Sequence, residues 1–507
     1  MKNKKVTLEE VAKISDKAKS KGKIIVHCHG VFDLLHVGHI KHFEEAKSFG
    51  DILIVTLTPD KYVNKGPNRP AFGTPLRMDA LAALEVVDFV VENKWPTAVE
   101  TIKTIKPNIY FKGPDYQDNS EDITGKIKEE VKAARSVGGK IKYSTDITFS
   151  SSTLLNKYSD IYSDDQKVYI SRIRRHLQKD KLNEYMKGLH DLKVLVVGET
   201  IIDEYVFCEA LGKSGKEPVL ALRELTTERY LGGAAAVANH LSSFCKKITL
   251  LSALGEKKEY EKFIAKNLSK FVRAKFLYKT NSPTIVKKRF VDNITQNKTL
   301  GVYSINDESL SQLDERKFIN NLEKEIKNHD LVLVTDYGHG LISSASAKAI
   351  TQKSSFTALN AQINAANSSY HTLNKYKKAD CVIINESELR HELRSREGDL
   401  KSLMKELCKD LRALNIVVTR GNQGAILLNK KKNKFISCPA FASRVVDKIG
   451  SGDAMLSLTS IALRSGCDER VSLLLGSLAA AQSVETIGNS KFVNKNEILK
   501  TIEHAIK

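Results

Sequence analysis

The 507-residue sequence has no run of about 18 apolar residues, so it offers no transmembrane helix candidate. Its opening, MKNKKVTLEEVAKISDKAKS, lacks the apolar core of a signal peptide and reads as an amphipathic charged helix. The seven cysteines (Cys28, Cys208, Cys245, Cys381, Cys408, Cys438 and Cys467) contain no CxxC pair and are odd in number. Free, structural thiols in a reducing compartment are therefore expected, and with them a cytoplasmic location and no membrane partner. Tandem repeats and low-complexity segments are also missing. No helix-turn-helix or RNA-binding signature appears, and aromatics are not interleaved with the basic residues. The net charge of +20 is therefore read as solvated surface rather than a nucleic-acid face. Its lysines are spread along the chain, with runs such as NKKKNK at 429–434 that suit a hairpin tip. A protein that handles polyphosphates and sugar phosphates fits the same charge.

Hydrophobic residues make up 41% and charged residues 28%, ordinary for a globular chain with a sizeable core. The length suggests two to four domains. Over the first 150 residues, strands (KIIVHCHG, DILIVTLT, VVDFVV, NIYFK, KIKYS) alternate with helices expected at 37–48, 74–85, 97–106 and 121–136. That rhythm argues for a parallel sheet covered by helices. Residues 153–190 are charged and helical, a connector. A second α/β domain starts with LKVLVVGETIIDEY at 192–205, continues through short strands to about 230, and resumes its alternation at LVLVTDYG, CVIINESE and NIVVTRG. It ends in a long apolar helical stretch from Gly452 to about Glu485. The expected layout is a Rossmann-like domain at 1–156, a connector at 157–190, and an α/β sandwich with a small β insertion at 191–507.

The stretch GVFDLLHVGH places His36 and His39 where the first strand turns into a helix. Three-residue spacing puts both imidazoles on one helix face, and a helix N-terminus suits an anion. Gly38 lets a phosphate approach the backbone. Such a site fits attack on the α-phosphate of a nucleoside triphosphate, with catalysis by positioning and electrostatics. GVFDLLHVGHIKHFEEAKSFGDILIV resembles the start of the cytidylyltransferase-like nucleotidyltransferases. Residues 24–156 more closely resemble the nucleotidyltransferase half of the bifunctional ADP-heptose synthesis proteins, through VNKGPNRPAFGTPLRMDALAALEVVDFVV (63–91), YFKGPDY (110–116) and SSTLL (151–155). The resemblance implies that His36, His39, Phe32, Asp33 and Gly38 surround the triphosphate and that Lys65 holds phosphate as a point charge. Arg77 is expected to reach the nucleotide or pyrophosphate. Ser152 and Thr153 would offer hydroxyls at a helix start, and Lys112 and Asp115 would face the acceptor. The HxGH pattern is shared with class I aminoacyl-tRNA synthetases, but the domain is too small and no KMSKS-type loop follows.

In the second half, VVDKIGSGDAML (445–456) carries Gly450, Ser451 and Gly452 ahead of Asp453, between a strand and a helix. Glycines there expose N–H groups to an anion, and Asp453 can take the proton of an attacking hydroxyl. LGGAAAVANHL (231–241) sets Gly232 and Gly233 before a helix, and Asp203 follows the first strand. With TDYGHGLI, INESE, TRGNQGAILL and GSGDA, residues 192–500 resemble the ribokinase-like (pfkB) carbohydrate kinases. That resemblance implies Asp453 as base; Asp203, Gly232, Gly233 and Asn239 at the sugar; Asn385 and Glu388 in the magnesium and phosphate region, Glu388 as a candidate Mg²⁺ ligand; and Arg420, Gly421 and Gly424 near ATP. Potassium is a further candidate cofactor.

VVGETIIDEYVFCEALGKSGKEPVL looks most like the heptose 7-phosphate kinase half of the ADP-heptose proteins, although their usual domain order is swapped here. Three positions and one stretch depart from the family pattern: Ala236 for an asparagine, Lys448 for a threonine, His339 for a lysine, and LNAQINAAN (359–367) for an aspartate-proline turn. The resemblance implies a bifunctional enzyme using ATP as phosphoryl donor and ATP or CTP as nucleotidyl donor, acting on sugar phosphates as a homodimer. Synthesis of a CDP-sugar or CDP-polyol, or one inactive regulatory domain, stays open.

Overall fold

Valine, isoleucine and leucine dominate the strand cores, and they build two α/β units. The computed structural model describes residues 4–63, 70–113, 126–144, 162–175, 177, 179–364, 366–368 and 370–506. Residues 1–163 together with 499–507 make up one compact unit, and residues 164–498 make up the other.

The first unit holds a wholly parallel sheet of β1 (Ile25–Gly30), β2 (Ile52–Leu57), β3 (Phe89–Glu92), β4 (Ile109–Lys112) and β5 (Lys140–Tyr143), in the order β3-β2-β1-β4-β5. Around it lie α1 (Leu8–Lys19), α2 (Val37–Ser48), α3 (Thr74–Ala82), α4 (Val99–Ile105) and α5 (Lys126–Ser136). Val26, Cys28, Leu53, Val55 and Phe43 pack on one sheet face, and Ile25, Ile54, Val91, Leu8 and Val11 on the other. The strand order reverses at β1, so the crevice outside its carboxyl end is the topological switch point, where ligands bind in open α/β sheets. The helix expected over 97–106 ends at Ile105, because Lys106 takes a left-handed φ of 49° and Pro107 follows.

In the second unit, α6 (Asp164–Arg174) and α7 (Lys179–Asp191) come from the connector segment. They bury Tyr169, Ile170, Ile173, Leu182 and Leu189, so this segment packs as part of the unit. The main sheet has β6 (Lys193–Gly198), β9 (Lys247–Gly255), β10 (Val272–Lys279), β13 (Leu331–Asp336), β14 (Thr357–Ala361), β15 (Cys381–Asn385), β16 (Asn415–Thr419), β17 (Ala425–Asn429) and β18 (Lys434–Cys438). Its order is β10-β9-β6-β13-β14-β15-β16-β17-β18, and only the last two strands join antiparallel, around the lysine-rich tip at 429–434.

A smaller sheet runs β12 (Lys298–Ser304), β11 (Ile285–Asp292), β7 (Thr200–Lys213), β8 (Leu220–Gly232). It is wider than the insertion expected at 205–230, because 285–304 supplies two of its strands. The unit's helices are α8 (Gly233–Leu241), α9 (Glu261–Asn267), α10 (Gln312–Ile326), α11 (Ser344–Lys353), α12 (Glu386–Glu392), α13 (Leu400–Asp410), α14 (Ser451–Arg464) and α15 (Glu469–Val484); α16 (Lys495–Ile506) starts in this unit and belongs from Leu499 onward to the first. The apolar helical stretch expected over 452–485 is made of two helices, with Gly466 (φ 81°) in the turn between them. All seven cysteines are free and buried, and among the described residues no helix is long and apolar enough to cross a membrane.

Candidate active sites

In the first unit, β1 delivers the chain into a tight turn at the switch point. Phe32 takes a left-handed φ of 47°, and its ring lies against His39 at 5.6 Å and Phe43 at 5.1 Å between centroids. His36 is the extended N-cap of α2 (φ −143°, ψ 172°), so the helix starts one residue after it. Its ring stacks at 4.0 Å and 36° on that of His39. Two imidazoles and the positive end of α2 therefore meet outside the carboxyl end of β1, with Gly38 in the first helical turn. Asp33 is buried and accepts from the Ala71 N–H at 2.5 Å, which ties the turn to the loop before α3.

Two residues expected at the ligand are buried. Arg77 is buried, and its guanidinium donates to Val31 O (2.5 Å), Phe72 O (2.9 Å), Thr58 O (3.0 Å), Asp60 Oδ1 (2.6 Å) and Thr74 Oγ1 (3.1 Å). It braces the site loops. Lys112 is buried in an ion pair with Glu130 at 2.9 Å, beside the Tyr110 ring. Burial would raise the Glu130 carboxyl, but the charge of Lys112 above all, with the Ala98 N–H, outweighs it and holds it at about 2. Lys65, Asp115, Ser152 and Thr153 lie outside the described residues.

Behind the turn sits a polar cluster that motif reading passed over. His29 Nδ1 meets Thr56 Oγ1 at 2.8 Å and its Nε2 meets Thr58 Oγ1 at 3.3 Å. His27 Nε2 meets the same Thr56 hydroxyl at 2.8 Å. Burial lowers His29 and His42 to about 4 and His27 well below its usual value, so all three are neutral near pH 7. Alternating histidines inside an otherwise apolar strand were the available signal.

In the second unit, Gly450 is the N-cap of α14 with φ 87°, and a Cβ there would stand 2.3 Å from Asn489 Oδ1. Only glycine fits. Ser451 Oγ donates to Lys448 O at 2.9 Å and closes the turn, while a Cβ on Gly452 would meet nothing within 4 Å, leaving room for a ligand. Asp453 follows in the first turn of α14. Tyr337 at the end of β13 donates its hydroxyl to Asp453 Oδ1 at 2.7 Å. Burial and the charge of Asp203 raise the Asp453 carboxyl, the Tyr337 hydroxyl and Lys287 oppose this, and it settles at about 7. A base that titrates at working pH suits proton transfer from a hydroxyl.

Asp203 is buried on β7 and accepts from Arg289 Nη1 at 2.6 Å. Its other oxygen lies over Gly232, where a Cβ would be 2.3 Å away, and a Cβ on Gly233 (φ 59°) would stand 2.3 Å from Glu199 O. The paired glycines let α8 start directly beneath the aspartate. Asn239 is wholly buried, donates to Asn267 O (3.0 Å), and accepts from Ser269 N (2.8 Å), a tie between α8 and the end of α9. Ala236 is also wholly buried on α8.

Asn385 and Glu388 form a reciprocal capping box on α12, Glu388 N to Asn385 Oδ1 at 2.8 Å and Asn385 N to Glu388 Oε2 at 2.9 Å. Burial raises Glu388 to about 7, and the charge of Asp453 adds to it. Arg420 pairs with Glu386 at 3.4 Å and donates to Gln423. A Cβ on Gly421 (φ 58°) would meet nothing, whereas one on Gly424 (φ 78°) would strike Cys438 O.

Glu199 and Asp447 were not singled out in the sequence. Glu199 is buried and accepts N–H groups of Tyr337 (3.0 Å) and His339 (3.1 Å); burial, then Asp336, raises it to about 7. His339 Nδ1 meets Asp307 Oδ1 at 2.6 Å. Asp447 accepts from Tyr205 OH (2.8 Å), pairs with Lys298 (2.5 Å), and so links the smaller sheet to the loop before α14. Among the described residues no group of three or more His, Cys, Asp or Glu could hold a metal ion. A cation here would need phosphate oxygens as well, the usual mode for Mg²⁺.

Residues 27–164 match the cytidylyltransferase-like family model. The bifunctional protein HldE of Aliarcobacter butzleri is 44% identical over 137 residues, 26% of this chain and 28% of that protein. HldE of Nitratiruptor sp. is 27% identical over 299 residues, 58% of this chain and 62% of that protein. The chain thus spans less than two thirds of the length of these relatives. The structure of Escherichia coli phosphofructokinase-2 in complex with potassium superposes with a TM-score of 0.50 at 12% identity, covering 62% of this chain and all of that one, which shows the ribokinase-like fold of the second unit. Residues 191–496, more than half of the sequence, match the model for pfkB family carbohydrate kinases, and the chain belongs to that family.

Proposed function

We propose that the protein is a bifunctional sugar-activating enzyme, with a kinase acting on a heptose 7-phosphate and a nucleotidyltransferase that couples a sugar 1-phosphate to a nucleotide. The observation that carries it is the presence in one chain of the Asp453–Tyr337 pair at the start of α14 and the stacked His36–His39 pair at the start of α2.

In the kinase, Asp203 orients a sugar hydroxyl and Asp453 takes the proton of the attacking one. A bond forms from that oxygen to the γ-phosphorus, the bond to the bridging oxygen breaks, and ADP leaves. The Gly450–Gly452 turn offers N–H groups to the transferring charge. Mg²⁺ bound with the ATP phosphates would be held on the protein side by Glu388 and would neutralise phosphate charge. In the transferase, an oxygen of the sugar 1-phosphate attacks the α-phosphorus and pyrophosphate leaves. That phosphate is already ionised, so no general base is needed, and His36 and His39 have only to stabilise charge on the α-phosphate.

The test is pyrophosphate release by the full chain with D-glycero-β-D-manno-heptose 1-phosphate, ATP and CTP in parallel, alongside ADP formation with the heptose 7-phosphate. Release with ATP and not CTP is expected. Release with CTP alone would make the product a CDP-sugar. Silence in both assays would overturn the proposal.

A further inference from the structure

Basic side chains converge where the main sheet of the second unit begins. Strands β6, β9, β10 and β13 start around a cavity of about 620 Å³, lined by Lys193, Lys246, Lys247, Arg273 and Lys327. The kinase site lies at the other ends of the same strands: β6 leads on to Asp203, and Tyr337 follows β13. β6 is six residues long, which sets its two ends about 20 Å apart. The cavity is therefore separate from the cleft that holds Asp453.

The protein does not balance the charge gathered here. Lys193 and Lys247 pair in register across β6 and β9, so two like charges stand side by side on neighbouring strands, which is destabilising. Among the described residues, the ammonium groups of Lys193, Lys246, Lys247 and Lys327 make no hydrogen bond and no ion pair. Arg273 is matched by Glu325 at 2.7 Å, and Glu325 also holds Lys275 at 2.6 Å, so that carboxylate is already shared. Among the described residues Asp330 is the one carboxylate of the lining, and its Oδ2 accepts the Lys193 N–H at 2.9 Å. Lys327 follows the last turn of α10, where a cation is favoured. The other three lysines sit on or beside strand starts and have no such reason. Next to them is Phe271, 49% exposed, with the Lys270 ammonium 5.4 Å from its ring centroid. The cavity thus sets concentrated positive charge beside a flat apolar ring. One phosphate spans too little to meet lysines from two strands and a helix end, whereas a chain of two or three phosphates reaches them and brings several negative charges.

We propose that this cavity binds a di- or triphosphate group, free or as the tail of a nucleotide, at a site separate from the kinase centre. The site stands or falls independently of the sugar on which the kinase acts.

The experiment is hydrogen exchange read by mass spectrometry on the full-length protein, titrated with inorganic triphosphate and without Mg²⁺, so that nothing turns over. A bound anion slows the local openings that expose strand starts. Amides at 246–249 and 271–273 are expected to gain protection, and the titration gives Kd. Replacing two lysines together, Lys193→Gln with Lys247→Gln, is expected to raise that Kd about tenfold or more, the worth of a hydrogen bond to a charged group. Any protection at 450–453 should stay as in the wild type. Both lysines are exposed and like charges repel, so the melting temperature of this double variant should not fall. Lys246→Gln with Lys327→Gln repeats the test from the remaining cations.

No protection of 246–249 and 271–273 in the wild type would overturn the inference. An unchanged Kd in both double variants would overturn it as well, because the anion would then sit elsewhere. ATP, titrated in parallel, distinguishes the two sources of the phosphates. Tighter protection by ATP than by triphosphate, lost in Phe271→Ser, bears out the site as one for a nucleotide. Equal protection by both, indifferent to Phe271→Ser, bears it out as one for free polyphosphate.

Discussion

Replacing Tyr337 with phenylalanine removes one hydrogen bond, that from its hydroxyl to Asp453 Oδ1 at 2.7 Å. The bond favours the ionised carboxylate and opposes burial, which with Asp203 lifts Asp453 to about 7. A hydrogen bond to a charged group is worth about 1.5 kcal/mol at the lower end, and 1.36 kcal/mol corresponds to one pKa unit. Tyr337→Phe should therefore move Asp453 up by about one unit. Only the ionised form accepts a proton, so the acidic limb of kinase kcat/KM against pH, expected near 7 in the wild type, shifts about one unit alkaline. At pH 6 the rate falls about tenfold relative to wild type, while the alkaline plateau changes little. Coupled ADP detection across pH 5.5–9 reads both. A limb that does not move, or a wild-type limb below pH 5, would refute Asp453 as the base held by Tyr337.

Other consequences follow from the same geometry. Gly450→Ala forces a side chain onto φ 87° and 2.3 Å from Asn489 Oδ1, so kinase turnover should fall at least about tenfold, given a left-handed penalty of about 1–2 kcal/mol before the clash, while pyrophosphate release is unchanged. Arg77→Met strands the buried carbonyls of Val31, Thr58 and Phe72 and should lower stability by on the order of 3 kcal/mol in chemical denaturation; an unchanged midpoint would deny its bracing role. The imidazoles of His29 and His42 protonate near 6.5 when unfolded but only at about 4 when folded. The unfolded chain binds more protons in that window, so calorimetric melting should fall as pH drops from about 6.5 towards 4, and replacing His42 with phenylalanine should flatten the slope.

Local spacing carries its information in the sequence. The β-α rhythm, the HxGH turn and the GSGD turn each depend on residues within a dozen positions of one another, and the structure places His36 by His39 and Asp453 at the start of α14 as that spacing implies. Long-range pairing was not legible. Strand β11 joins β7 from more than 80 residues away, so nothing near Asp203 announces Lys287 or Arg289. Glu130 looks like one more acid on a charged helix until Lys112 is found against it. Arg77 and Asn239 have side chains suited to a ligand, and nothing local in the sequence announces that their polar atoms are matched by backbone groups brought in from other elements.

The most direct test of two separate chemistries is a crossed assay of three full-length proteins: wild type, Asp453→Asn and His39→Asn. Each is given heptose 7-phosphate with ATP for ADP formation, and heptose 1-phosphate with ATP or CTP for pyrophosphate release. The two-site proposal predicts that Asp453→Asn loses kinase turnover by about a thousandfold or more and keeps pyrophosphate release, and that His39→Asn does the reverse. Loss of both activities in either folded variant, or full retention of the activity assigned to the replaced residue, would contradict it.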